Sequence, residues 1–488
     1  MSLKSRLLGA VAAGICGLAL GQALPPEVAA ALARAKVPLE SVTLLVVDAE
    51  GKSPPRLSHR AQVPVNPASV MKLVTTYAAL DLLGPAYSWR TPVYVDGPIR
   101  DGTLHGNLFI KGQGDPKLVV ERLWLLLRRV QGLGITSIAG DIVLDHSAFE
   151  TVETDPASFD GEPLRPYNAA PDALLLNFKS VLMTFVPDRA AHTASVQFEP
   201  PLQGVKMQRS VPLSGAENGS CGDYRSALKA DFSDPARIRF GGSYPAACVE
   251  KVWPVAYADP SSYNQRAVAG MWREIGGKLS GTVREDRLPD ASAAGAKAAL
   301  QPVFEMSSPP LADLIRDINK YSNNVMAQQV FLTLSLPGRD QSGNSGAAAP
   351  PATREASREV LRRWWQERIG SDDAPLLDNG SGLSRDERIS AQALAHLLQC
   401  AYRSALMPEL MSSLPMSGVD GTLKRSRAMA AGSAHLKTGS LRDVAAVAGY
   451  VHAASGKRYC LVAIANHANA LAARPAFDAL LDWTANDN

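Results

Sequence analysis

The chain has 488 residues, 46% of them hydrophobic, more than one core comfortably fills, and this suggests about three domains. Its 50 Lys and Arg against 47 Asp and Glu leave a formal charge of +3, too weak a field to select nucleic acid or an anionic membrane as partner. Function is therefore to be sought in local sites.

In chain order, residues 1–23 join Lys4 and Arg6, an uncharged stretch from Leu7 to Leu20, and the small-residue end Gly21-Gln22-Ala23. That order is a secretory signal peptide, with cleavage expected after Ala23 and export of the remainder. Cys16 follows Ala13-Gly14-Ile15, a poor match to a lipoprotein processing site, and no later apolar run is long enough to cross a membrane. Membrane association is expected to be peripheral at most.

Residues 41–48 read as a buried strand, and "PASVMK" (67–72) starts a helix with Met71, Val74, Ala78 and Leu82 on one face, stopped by Gly84-Pro85. From Thr91 the texture is short strands with one helix at 119–131. Near Pro187 a smaller all-β insert begins, and a helix returns within 260–277. Residues 291–299 are an Ala-rich connector, 309–336 a helical run, 337–353 a low-complexity loop and 355–369 another helix. The end is a hairpin, 444–452 and 457–466, followed by a helix at 475–484.

Removal of the signal leaves Cys221, Cys248, Cys400 and Cys460. Cys221 and Cys248 lie between turn signals and are the expected bridge; Cys400 and Cys460, in apolar patterns, fit either a second bridge or buried free thiols. No Cys/His spacing fits a metal site, so neither metal nor cofactor is expected.

Three short strings carry chemistry. Pro67 holds the helix start just after itself, so Ser69 falls in the first turn, where free N–H groups stabilise negative charge. Lys72, one turn on, shares its face, and a desolvated lysine there can act as base towards the serine. Alone, Ser-x-x-Lys is expected roughly once or twice by chance in a chain this long, and a helix cap explains it as well.

Ser322 and Asn324, in "YSNN", interrupt a helical run, which suits a turn whose side chains face a cleft: a hydroxyl for proton relay and an amide for a substrate carbonyl. Lys437-Thr438-Gly439-Ser440 precedes the hairpin. There Gly439 admits an extended peptide alongside the strand, Lys437 supplies positive charge, and the N–H of Ser440 is an oxyanion donor together with that of Ser69.

These strings, with "GDPKL", "GDIVLDHSAF", "YNAAPDALLLNF", "DNGSGLSR" and "LPMSGVDGTLKRS", closely resemble the D-alanyl-D-alanine carboxypeptidase/endopeptidase family, the low-molecular-mass class C penicillin-binding proteins. The resemblance covers nearly all of the mature chain; the middle motif is Ser-Asn-Asn instead of Ser-Asp-Asn but keeps both functional positions.

It implies an α/β (α+β) fold: a transpeptidase/β-lactamase-like domain of antiparallel sheet and flanking helices, carrying two inserted smaller domains rich in β-strands. The expected division is 24–90 with 300–488 for the catalytic domain, 91–186 with 250–299 for the second, and 187–249 for the third. It implies Ser69 as acylated nucleophile, Lys72 as base, and Ser322, Asn324 and Lys437 as catalytic partners. Thr438, Gly439, Ser440, Leu383 and Arg385 would bind substrate. Asp160 and Glu162 fall where many members carry a Trp-rich acidic stretch; those tryptophans are absent, so neither is counted.

The implied partners are periplasmic peptidoglycan stem peptides and cross-links, with β-lactam antibiotics as covalent inhibitors. Two alternatives are a β-lactamase or esterase of the same fold, disfavoured by the long gap from Lys72 to Ser322, and a non-catalytic cell-wall binding protein. The latter predicts a lost motif residue, and none is lost.

Overall fold

The structure is a computed structural model that describes residues 23–152, 154–289, 300–336, 350–370 and 372–487. The expected signal peptide (but for Ala23), the Ala-rich connector and most of the low-complexity loop lie outside the described residues. No described helix is long and apolar enough to cross a membrane.

The site stands on a five-stranded antiparallel sheet: β1 Val42–Asp48, β2 Leu57–His59, β3 Ala434–Leu441, β4 Val444–His452 and β5 Arg458–Asn466, in the order β2-β1-β5-β4-β3. Successive side chains point to opposite faces, and here both faces are buried. Val42, Leu44 and Val46 join Leu461, Ala463 and Ala465 in a core closed by helices Pro26–Arg34 and Arg474–Ala485. Leu45 and Val47 join Val462 and Ile464 in the opposite core, with Tyr77, Ile318, Phe331, Trp365 and Leu398. That is why these strands read as continuous apolar runs.

The segment of the expected nucleophile is a 3-10 turn, Ala68–Met71, leading into helix Lys72–Leu83. The expected apolar stripe is only partly right. Residues 72–80 are buried on every side, whereas Leu82 is 45% exposed, because the helix lies between the sheet and other helices until its last turn.

The helical run at 309–336 is two helices, Leu311–Tyr321 and Asn324–Thr333. They are broken at Ser322, whose φ of 57° is left-handed, and Asn323 caps the second by accepting from the N–H of Met326 at 3.0 Å.

Between the nucleophile helix and Leu311 lies β-rich structure. One sheet orders strands Val283–Glu285, Ile142–Asp145, Leu108–Lys111, Arg90–Val95 and Phe304–Ser307. Its last pairing joins a strand after residue 300 to one that starts at Arg90, a long-range match composition does not reveal. A second sheet contains Ser180–Asp188 paired with Lys251–Ala256, so its strands reach beyond 187–249 on both sides. That segment is not all β: helix Tyr224–Leu228, capped by Asp223, interrupts it. Cys221 and Cys248 form a disulfide; Cys400 and Cys460 are free thiols.

Candidate active site

Ser69 occupies a turn that other parts of the chain press tightly. Ala68 has a φ of 47°, and its N–H is held by Asn66 Oδ1 at 2.8 Å. Asn66 is in turn paired with Asn466 at the end of β5, through its N–H and its carbonyl, each at 2.9 Å. A Cβ on Gly439 would stand 2.5 Å from the Pro67 carbonyl and 3.1 Å from the Ser69 nitrogen; one on Gly382 would come within 2.6 Å of that nitrogen. These glycines let the edge strand and the 379–384 loop close around the serine amide.

Lys72 is fully buried at the start of its helix, and its ammonium has three donors for three acceptors. They are Ser69 Oγ at 2.9 Å, Asn324 Oδ1 at 2.6 Å and the Ser381 carbonyl at 2.5 Å. Burial, and then the charge of Lys437, hold its pKa well below the usual lysine value, with Glu387 opposing. No carboxylate touches it among the described residues.

Lys437, on β3, is equally buried and donates to Ser322 Oγ at 2.9 Å and to the Thr438 carbonyl at 2.6 Å. Burial lowers its pKa to about 7. Its charge therefore depends on pH far more than that of an exposed lysine.

β3 is the sheet edge. The Ala434 carbonyl and the Leu436 N–H are bonded outward to Ser417 and Pro415, and pairing alternates along an antiparallel strand. Two and four residues after Leu436, the N–H groups of Thr438 and Ser440 therefore point past the edge, towards the serine. The side chains add Thr438 Oγ1 to Thr422 Oγ1 at 2.7 Å and Arg474 Nη2 donating to Ser440 Oγ at 3.0 Å.

Two clefts meet at Ser69, Ser322 and Ser440. One, of about 1030 Å³, also contains Asn324, Leu383, Arg385 and Asp160. The other, of about 630 Å³, runs under Thr438 towards the C-terminal helix. All ten residues singled out from the sequence thus lie in one neighbourhood: Leu383 and Arg385 line the larger cleft, with Arg385 paired to Asp443 at 2.8 Å and stacked on Phe159. Asp160 shares that wall, although the missing tryptophans argued against it; it accepts from Tyr167 and Asn168.

The sequence reading missed Glu387. Fully buried, it accepts at one carboxylate oxygen from the N–H groups of Asp378, Asn379 and Gly380, at 3.2, 3.1 and 2.9 Å. That folds the loop so that Gly380 and Ser381 present carbonyls to Thr75 and Lys72. Its other oxygen has no hydrogen-bond partner among the described residues, and burial pushes its carboxyl above the ordinary range against those N–H groups. Only its place in "GLSRDER", directly after the substrate-side string, could have flagged it.

A serine paired with a buried lysine, a second pair of the same kind and an open strand edge are the parts of an acyl-transfer site. The model of the D-Ala-D-Ala carboxypeptidase 3 (S13) family matches residues 24–487. The chain belongs to this S13 family. Among curated relatives, the D-alanyl-D-alanine carboxypeptidase DacB of Haemophilus influenzae is 23% identical over 407 residues, 82% of this chain and 80% of that one. The D-alanyl-D-alanine carboxypeptidase of Actinomadura sp. strain R39 is 28% identical, covering 80% of this chain and 71% of the relative. Among solved structures, penicillin binding protein 4 (dacB) of H. influenzae superposes with a TM-score of 0.69 at 21% identity, over 93% of this chain and 99% of that one. This S13 peptidase is a serine-type D-Ala-D-Ala carboxypeptidase with the α+β, multi-sheet fold of that protein.

Proposed function

We propose that Ser69 is the nucleophile acylated by the penultimate D-alanine of a peptidoglycan stem peptide, with Lys72 as its base. The observation that carries this is the 2.9 Å contact between Lys72 Nζ and Ser69 Oγ, made by an amine whose burial favours the neutral, proton-accepting form.

Lys72 takes the hydroxyl proton as Ser69 Oγ bonds to the carbonyl carbon. The oxyanion is held by the N–H groups of Ser69 and Ser440. Collapse breaks the C–N bond, and the nitrogen of the departing D-alanine receives its proton through Ser322, itself bonded to Lys437. Water then attacks the ester, releases the shortened stem as a carboxylic acid and restores the serine hydroxyl. Asn324, with Oδ1 engaged by Lys72, has its amide hydrogens for a substrate carbonyl.

The same chemistry cleaves D-alanyl cross-links, and a β-lactam acylates Ser69 without losing its amine, which remains attached and obstructs water. A penicillin G-acylated predatory endopeptidase of Bdellovibrio bacteriovorus shares the fold at a TM-score of 0.51. The signal-like leader supports a periplasmic setting.

Incubating the purified mature protein with labelled benzylpenicillin and mapping the adduct by mass spectrometry tests the reading. A lasting adduct on the peptide containing Ser69, lost in Ser69→Ala, is expected. An adduct elsewhere, or one that persists in the variant, removes the proposal, and rapid β-lactam turnover points instead to a β-lactamase.

A further inference from the structure

The two clefts at Ser69 differ in charge. The larger mixes signs, with Glu121, Asp160 and Glu199 facing Lys117, Arg385 and Arg442. The smaller brings together Arg425 and Arg427 from the loop before β3 and Arg474 from the C-terminal helix, against a single carboxylate, Asp478. That carboxylate is already engaged: it accepts from Ser426 Oγ at 2.8 Å and from the Arg427 N–H at 3.3 Å. No ion pair joins any of the three guanidinium groups to a carboxylate among the described residues. Their floor is apolar, with Leu423, Phe477 and Leu481.

A peptide added along β3 lies over the outward N–H groups of Thr438 and Ser440, spanning both clefts with its reacting carbonyl at Ser69. Charge sets its direction. The leaving side of a D-Ala-D-Ala bond carries the carboxylate, so it belongs on the arginine side, beside Arg474, which donates to Ser440 Oγ at 3.0 Å, and the acyl side lies in the mixed cleft. A single D-alanine is small and has one carboxylate, yet the arginine cleft measures about 630 Å³, and a pocket of roughly 300–1,000 Å³ suits a much larger ligand.

We propose that this cleft is a leaving-peptide subsite, in which Arg425 and Arg427 hold the carboxylates of the second stem of a cross-linked peptide. This rests on the acyl-transfer reading above and adds the substrate feature the cleft selects. Attack by Ser69 Oγ breaks the amide C–N bond of the cross-link. The serine proton, carried by Lys72, ends on the leaving nitrogen, and the second stem departs as a free amine while its carboxylates remain paired with guanidinium groups. Water later hydrolyses the ester, as for the single stem.

The test compares kcat/KM on a monomeric pentapeptide stem, which releases only D-alanine, with that on a cross-linked stem dimer, for wild type and Arg425→Ala/Arg427→Ala. Among the described residues, no hydrogen bond or ion pair joins the side chains of these arginines to Ser69 or Lys72. The double variant is expected to lose about tenfold on the dimer and to stay within about twofold on the monomer and in benzylpenicillin acylation rate. A dimer whose leaving stem is amidated at its carboxylates is expected to show the same loss with wild type and little further loss with the variant.

Equal losses on both substrates, no loss on the dimer, or insensitivity to amidation overturn the subsite. So does a wild type that hydrolyses the monomer but leaves the dimer intact, and that result spares the proposed reaction. A wild type inactive on both and unlabelled by penicillin removes the reaction, and the subsite with it.

Discussion

Two clusters of buried charge show how differently one chain treats ionisable groups. Beside the Asn324 helix, Asp172 receives His146 Nδ1 at 2.5 Å and Lys179 Nζ at 2.8 Å. Burial alone would raise the Asp172 pKa, but Lys179 and His146 draw it far below the ordinary range; burial would lower His146, and Asp172 raises it. Around Ser69, two lysines are buried without a carboxylate in contact, and both fall below the usual lysine range. The first cluster spends opposite charges on each other and holds structure; the second leaves amines able to exchange protons. The two are mechanically joined, because Gln329, on the Asn324 helix, exchanges hydrogen bonds with the Asp172 backbone at 2.9 and 2.8 Å.

The sharpest way to break this contrast is Lys72→Met, which removes the proposed base but keeps an apolar chain of similar reach. Benzylpenicillin acylation, followed by mass spectrometry over time, is expected to fall roughly 10²–10⁴-fold with the melting temperature little changed. In the other cluster, Asp172→Ala leaves His146 and Lys179 without their partner. A cost of about 3–5 kcal/mol by denaturant unfolding is expected, with the acylation rate per folded molecule near that of wild type. A loss of rate with unchanged stability would reverse the assignment of structural and reactive roles.

Glu387→Gln keeps an acceptor for the three loop N–H groups but deletes the charge that raises Lys72. The Lys72 pKa is then expected to drop further, so the acidic limb of the acylation-rate profile moves to lower pH, measured by stopped-flow between pH 4 and 9. A limb that stays in place assigns Glu387 a role in loop folding alone.

The last effect concerns stability and is read against pH. Unfolding returns Lys437 to an ordinary lysine pKa of 10.5 from about 7, so between these values the unfolded chain binds more protons and rising pH favours the folded state. Wild type is therefore expected to gain stability relative to Lys437→Met as pH rises through that window. Parallel unfolding curves at each pH would contradict it.

The reactive side chains were legible because each sits in a short string whose residues act locally. Ser69 and Lys72 share one turn, and Ser322 and Asn324 flank a helix break that polar residues announce. What escaped depends on distance along the chain. Glu387 does its work through a loop seven to nine residues away, Phe304–Ser307 finds its partner across the inserts, and the exposure of Leu82 follows from where neighbouring helices end. The lowered pKa of Lys437 comes from burial on a strand that composition shows only as an edge.

The clasp between Asn66 and Asn466 has a bearing on the life of the protein before it is complete. The turn that carries Ser69 is fastened by a residue 400 positions later, on a strand that also completes the central sheet beside β1. A chain made from its N-terminus carries Ser69 and Lys72 long before Asn466, so this clasp closes only once β5 has been added.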